Sequence, residues 1–210
     1  LLLVATQPDL GTSILIAAGG IVVAWLAGVR IKFFAYSLIA FVALLPIAIS
    51  FLKPYQKSRI LIFLNPERDP LGAGYQIIQS KIAIGSGGLF GKGFLNGSQS
   101  YLDYLPEKHT DFIFTLFSEE FGFFGSLFIL FLYALIISRI IIIGNLTRSN
   151  FGKLYCYSFG TAFFIYVVVN MMMVLGLLPI VGSPLPIMSY GGSSMRAIMF
   201  GLGIVRSCKI

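Results

Sequence analysis

The chain has 210 residues, 57% of them hydrophobic and only 11% charged, with a net charge of +7 and a mean hydropathy of +0.91. Soluble domains carry about 25% charged residues, so this composition excludes an ordinary water-soluble domain. The positive charge is distributed along the chain rather than gathered into one basic patch, which argues against nucleic acid as a partner.

A membrane span needs about 20 mostly apolar residues. Residues 1–7 read as the tail of one span. Apolar runs then follow at 11–28, 33–52, 121–138 and 154–178, with a shorter one at 194–205. Hydrocarbon admits only helices or closed barrels, so the predicted fold is all-α: a polytopic membrane helix bundle forming one integral domain over 1–210. Gly19, Gly20, Pro46 and Gly160 inside the runs mark close packing or bends. The start has no initiator Met, basic segment or cleavage site, and reads as the C-terminal portion of a larger protein rather than a signal peptide. Short loops at 29–32 and 144–153 and the C-terminus carry Arg30, Lys32, Arg148, Lys153, Arg206 and Lys209 and no acid. Every Asp and Glu falls on the other side, so the basic loops and the C-terminus are expected in the cytoplasm. Cys156 and Cys208 show no metal or redox spacing.

The segment 53–111 is too long for a simple connector and too rich in apolar residues for disorder. It is the large extracytoplasmic loop and the place to seek a site. Tyr75, Ile78 and Ile82 suggest a short amphipathic helix, either lying in the membrane interface or packed on its own loop. Gly85, Gly87, Gly88, Gly91 and Gly93 suit tight turns better than an anion nest. Lys53, Lys57, Arg59, Arg68, Lys81, Lys92 and Lys108 give the loop its positive charge. Arg59 is the favoured phosphate ligand, because a guanidinium grips two phosphate oxygens where an ammonium cannot. A solvated charge touching headgroups is the alternative.

At the end of the loop, Asp111 is followed at once by Phe112-Ile113-Phe114. A carboxylate at the edge of a span is a functional candidate. It could take a proton from a sugar hydroxyl as general base. The alternative is that Thr110 or Asp111 caps the helix that begins here. Glu119 and Glu120, two turns further in, either reach the same cavity or pair with buried basic groups.

The motifs now accumulate: QPDLGT at 7–12, Tyr55-Gln56 with Arg59, LNPE at 64–67, DPLGAGY at 69–75, QSKIAIGSGG at 79–88, GKG at 91–93, LPEKHTDFIF at 105–114, GSPLP at 182–186 and SYGGS at 189–193. The chain resembles the SEDS family (shape, elongation, division and sporulation), most closely its RodA branch. That resemblance implies a ten-span inner-membrane peptidoglycan glycosyltransferase that polymerises lipid II for cell elongation and rod shape. Residues 1–210 would cover the end of span five through span ten. It implies Asp111 as the catalytic residue, and a class B penicillin-binding protein, a transpeptidase, as partner. In this reading Arg59, Gln56, Lys57, Lys81, Lys108 and His109 form the substrate and pyrophosphate surface. A divalent cation such as Mg would serve the same end, although the sequence holds no dedicated metal cage. The rival readings are a lipid II flippase and an inactive truncated scaffold. Two departures from the family pattern stand out: Met172 where a small residue is usual, and Arg196 just inside the last span.

Overall fold

The computed structural model describes residues 10–51, 58, 61–63, 65, 69, 72–98 and 109–209. Six helices follow in chain order: α1 Leu10–Leu26, α2 Ile31–Phe51, α3 Ala73–Gly87, α4 Ile113–Leu146, α5 Asn150–Val174 and α6 Gly192–Ser207. Among the described residues there is no strand. The predicted all-α bundle is therefore observed.

The central unit is an antiparallel pair, α4 and α5, turned by residues 147–149. Ser149 opens α5 as its N-cap, its hydroxyl accepting from Gly152 N. Helix α1 lies on α5, α3 lies on α4, and α6 touches both central helices. Small residues allow close approach. A Cβ on Gly160 of α5 would stand only 3.2 Å from the Ile140 side chain of α4, and a Cβ on Gly201 of α6 would overlap the Phe159 ring of α5. The larger core gathers Phe112, Phe114, Tyr133, Phe163, Val167 and Met173, with Leu185 from the loop before α6. A smaller one joins Ile140, Cys156 and Val205 at the other end.

Helices α4 and α5 are long and apolar enough to cross a membrane. The most apolar stretch of α4 is only 17% buried within the chain. A soluble core helix would bury most of such a stretch, whereas Leu127, Phe128, Phe131 and Leu135 are exposed on this chain, as suits a helix surrounded by lipid or by further helices.

Helix α4 is broken at Gly122, whose φ of 67° and ψ of −161° belong to glycine. The break separates a short segment, 113–121, from the long span 123–146. It also exposes backbone groups that need partners. The turn after α3 supplies them. Phe123 N and Phe124 N donate to Gly88 O and Leu89 O at 2.9 and 3.2 Å, while Lys92 N and Gly93 N donate to Glu119 O and Glu120 O at 3.0 Å each. The span predicted to begin at 121 starts at this break.

The amphipathic helix predicted around Tyr75 is α3, but its buried face is a different one. Ile77, Ser80, Ala83 and Gly87 face inward, whereas Ile82 is exposed and Tyr75 and Ile78 are half-buried. The reason is steric. A Cβ on Gly87 would overlap Ser118 O, so only a stripe of small residues can meet α4 so closely. The helix packs on α4 and α5 rather than on its own loop. Ser80 anchors it by donating to Val174 O at 2.7 Å and lying 2.8 Å from Thr115 Oγ1.

Candidate functional site

The site lies where the loop before α4 meets the loop between α5 and α6. Helix α4 starts at Ile113 with Phe112 as N-cap, and that side chain makes no capping bond. The helix-cap alternative for Thr110 or Asp111 is therefore corrected: neither residue holds the N-cap position. Both sit in a turn whose carbonyls are held from outside the helix.

Three successive carbonyls in this turn each accept one hydrogen bond. His109 O accepts from Tyr190 N at 2.9 Å. Thr110 O accepts from Ser189 Oγ at 2.6 Å. Asp111 O accepts from Asn170 Nδ2 at 2.9 Å. The donors are themselves held. Ser189 Oγ accepts from Leu185 N at 2.7 Å, and Asn170 Nδ2 also donates to Ser183 O at 2.6 Å. Tyr133 of α4 donates to Pro186 O at 2.6 Å and pins the same loop from below.

This clamp leaves Asp111 half-buried at the rim, with Phe112 buried beneath it. Its Oδ2 lies 3.6 Å from the point where a Cβ on Gly182 would sit. His109, Ile113, Met188, Ser189, Tyr190 and Met195 line an adjoining cavity of about 670 Å³, with the His109 and Tyr190 side chains exposed at its edge. The backbone that carries the Asp111 side chain is thus held in place, next to the residues that line the cavity, an arrangement that suits proton transfer with a bound hydroxyl.

Of the predicted surface residues, His109 lies at this cavity. Lys81 sits on α3 at the same end of the bundle, its side chain exposed and crossing Gly176, with Nζ 2.9 Å from that residue's Cβ position. Gln56, Lys57, Arg59 and Lys108 lie outside the described residues. Among the described residues no three His, Cys, Asp or Glu side chains gather in a metal-binding group.

Glu119 is resolved in favour of pairing. It is 0% exposed and its Oε1 meets Lys92 Nζ at 2.7 Å and Ser98 Oγ at 3.1 Å. Arg196 turns back to its helix start, donating to Gly192 O at 2.8 Å, while Met172 is half-buried. Sequence reasoning missed Asn170, Tyr133 and Gly122. Asn170 carried a signal: an amide between Val169 and Met171 inside an apolar run must find partners.

Fold and site together define an all-α membrane bundle presenting Asp111 on a clamped turn at its end. The chain belongs to the FTSW_RODA_SPOVE family, described as "Cell cycle protein", whose model matches residues 1–210. It is 51% identical over 207 residues to the peptidoglycan glycosyltransferase MrdB of Escherichia coli (strain K12), covering 98% of this chain and 56% of that protein. It is 48% identical over 156 residues to the peptidoglycan glycosyltransferase RodA of Treponema pallidum (strain Nichols), covering 74% of this chain and 36% of that one. The chain thus spans about half the length, or less, of these curated relatives. Among solved structures, a chain of a peptidoglycan synthase complex that coordinates polymerization and crosslinking superimposes with a TM-score of 0.77 at 39% identity, over 97% of this chain and 56% of that one. An aspartate-to-alanine variant of the Thermus thermophilus rod shape determining protein RodA gives 0.61 at 27% identity, over 97% and 50%.

Proposed function

We propose that the protein to which this chain belongs is a peptidoglycan glycosyltransferase of the bacterial inner membrane, polymerising lipid II into glycan strands for cell elongation. The observation that carries this is the clamp on residues 109–111, with relatives that are themselves named peptidoglycan glycosyltransferases. Asp111 acts as general base. It takes the proton of the acceptor sugar hydroxyl as that oxygen bonds to the anomeric carbon of the donor. The donor's bond to its lipid pyrophosphate breaks, and the pyrophosphate leaves with the electron pair. Arg59, with Lys57, Lys81 and Lys108, neutralises the developing phosphate charge, and Gln56 binds the substrate beside them. His109 lines the approach. A class B penicillin-binding protein is the proposed partner, supported by the similarity to a chain of a polymerising and crosslinking complex.

The test is Asp111→Asn in the full-length protein with its transpeptidase partner. Asn keeps the shape of the side chain and loses its basicity. The variant should insert and bind its partner normally, yet polymerise lipid II roughly 10²–10⁴-fold more slowly. Polymerisation near the wild-type rate overturns the mechanism. Loss of polymerisation also separates this reading from a flippase, since lipid movement needs no base at this position.

A further inference from the structure

We propose that Asn170 is a positioning residue that sets the geometry of Asp111 and acts on the reaction only through it. The proposal rests on the reading of Asp111 as general base. Asn170 is 0% exposed near the end of α5, inside the apolar run 167–174. Burying an amide there costs free energy unless it is hydrogen-bonded. Both of its N–H groups are used, one on Asp111 O at 2.9 Å and one on Ser183 O at 2.6 Å. Its Oδ1, like Ser183 Oγ, has no hydrogen-bond partner among the described residues. The side chain is therefore oriented by its donors alone. The opposite flip would set Oδ1 against two carbonyl oxygens, so chemistry assigns the amide.

The two targets matter more than their number. Tyr190 and Ser189 hold the carbonyls of residues 109 and 110, both before the Cα of Asp111. Asn170 holds the carbonyl after it. With both flanking peptides fixed, the direction of the Asp111 Cα–Cβ bond is fixed too. The second bond holds the carbonyl of Ser183, next in the chain to Gly182, the residue that Asp111 Oδ2 approaches, and Gly182 has a φ of +73°. One planar group thus sets the base and the wall the base faces, at a separation fixed by the width of an amide. Alanine offers no donor, leucine fills the space without one, and aspartate would place an oxygen where two donors stood.

The experiment uses the full-length protein with its transpeptidase partner and lipid II as substrate. In Asn170→Ala, kcat should fall on the order of 10–10²-fold while KM stays near wild type, because a base moved by about 1 Å loses rate without losing substrate contacts. Asn170→Gln keeps both donors on a longer arm. It should also lower kcat, and it carries the comparison if the alanine variant fails to insert. In an Asp111→Asn background, Asn170→Ala should cost less than about twofold more, since groups acting as one unit are not additive. A kcat per folded molecule equal to wild type in either single variant overturns the proposal and leaves Asn170 a packing residue. A full multiplicative loss in the double variant overturns it as well, showing action independent of Asp111. Full activity of Asp111→Asn alone is a different failure, that of the general-base reading itself.

Discussion

At the residue scale, the ion pair of Lys92 and Glu119 shows why buried charge in this chain must be read with its partner. Glu119 is fully buried, and Lys92 is 29% exposed. The pair binds the turn after α3 to the first segment of α4, which follows Asp111, beside the backbone bonds from Lys92 and Gly93 to the same helix. Removing one partner of a fully buried pair costs about 3–5 kcal/mol, and partial exposure of Lys92 lowers that to roughly 2–3. Lys92→Met should therefore lower thermal stability in detergent clearly. Lys92→Met with Glu119→Gln should recover much of the loss, because no uncompensated charge remains. A double variant less stable than Lys92→Met would show that the carboxylate serves some other group. Arg59, the favoured pyrophosphate ligand, lies outside the described residues, and its role rests on the loop's charge and the family resemblance alone.

At the element scale, the break in α4 decides where the site sits. Without it, residues 113–146 would run as one rod and the turn after α3 would have no backbone to pair with. Gly122 makes the break possible in two ways. Its φ and ψ are poor for any residue with a Cβ, and a Cβ there would overlap Gly91 N. Gly122→Ala should thus cost on the order of 2–5 kcal/mol, combining backbone strain with overpacking. Gly85→Ala is the matching control. Gly85 lies within α3, where an added Cβ meets nothing within 4 Å, so it should be neutral or stabilising by about 0.5–1 kcal/mol. Unfolding midpoints of the two variants in the same detergent check the contrast. Equal midpoints would mean that the kink is not glycine-dependent.

At the scale of the whole molecule, the helices sort their ends. The starts of α4 and α6 and the end of α5 share one end with α3, His109 and Asp111. The 147–149 turn and the end of α6 meet at the other, where Thr147 Oγ1 lies 3.0 Å from Cys208 O. The span 123–146 is about 36 Å long, enough to cross a hydrocarbon core of about 30 Å. Residues 53–111 and 179–189 are accordingly expected in the periplasm, with 29–32 and 144–153 in the cytoplasm. Single cysteines in a protein lacking Cys156 and Cys208 test this with a membrane-impermeant thiol reagent. Position 96, exposed in the turn after α3, should be labelled in intact cells, and position 148 should not. The reverse pattern would invert the topology.

The sequence by itself determined the solvent, the helices and the candidate base. Long apolar runs admit only helices in lipid, and a carboxylate before Phe112-Ile113-Phe114 stands out because charge is costly there. The motif resemblance to the SEDS family was legible in short segments, since each keeps its own order along the chain. What only the tertiary structure decided were relations between segments far apart in sequence. Periodicity put Tyr75, Ile78 and Ile82 on one face of α3, but the gap left by α4 admits only small side chains and selects the opposite stripe. Glu119 gave no sign of whether it faced the cavity or a cation, because its partner Lys92 lies in a separate turn. Asn170 and Asp111 are 59 positions apart, and the bond between them exists only once α5 stands beside the start of α4. A single residue's chemistry is local and can be read from its neighbours in the chain. The geometry that puts that chemistry to use is set by packing, which no linear order displays.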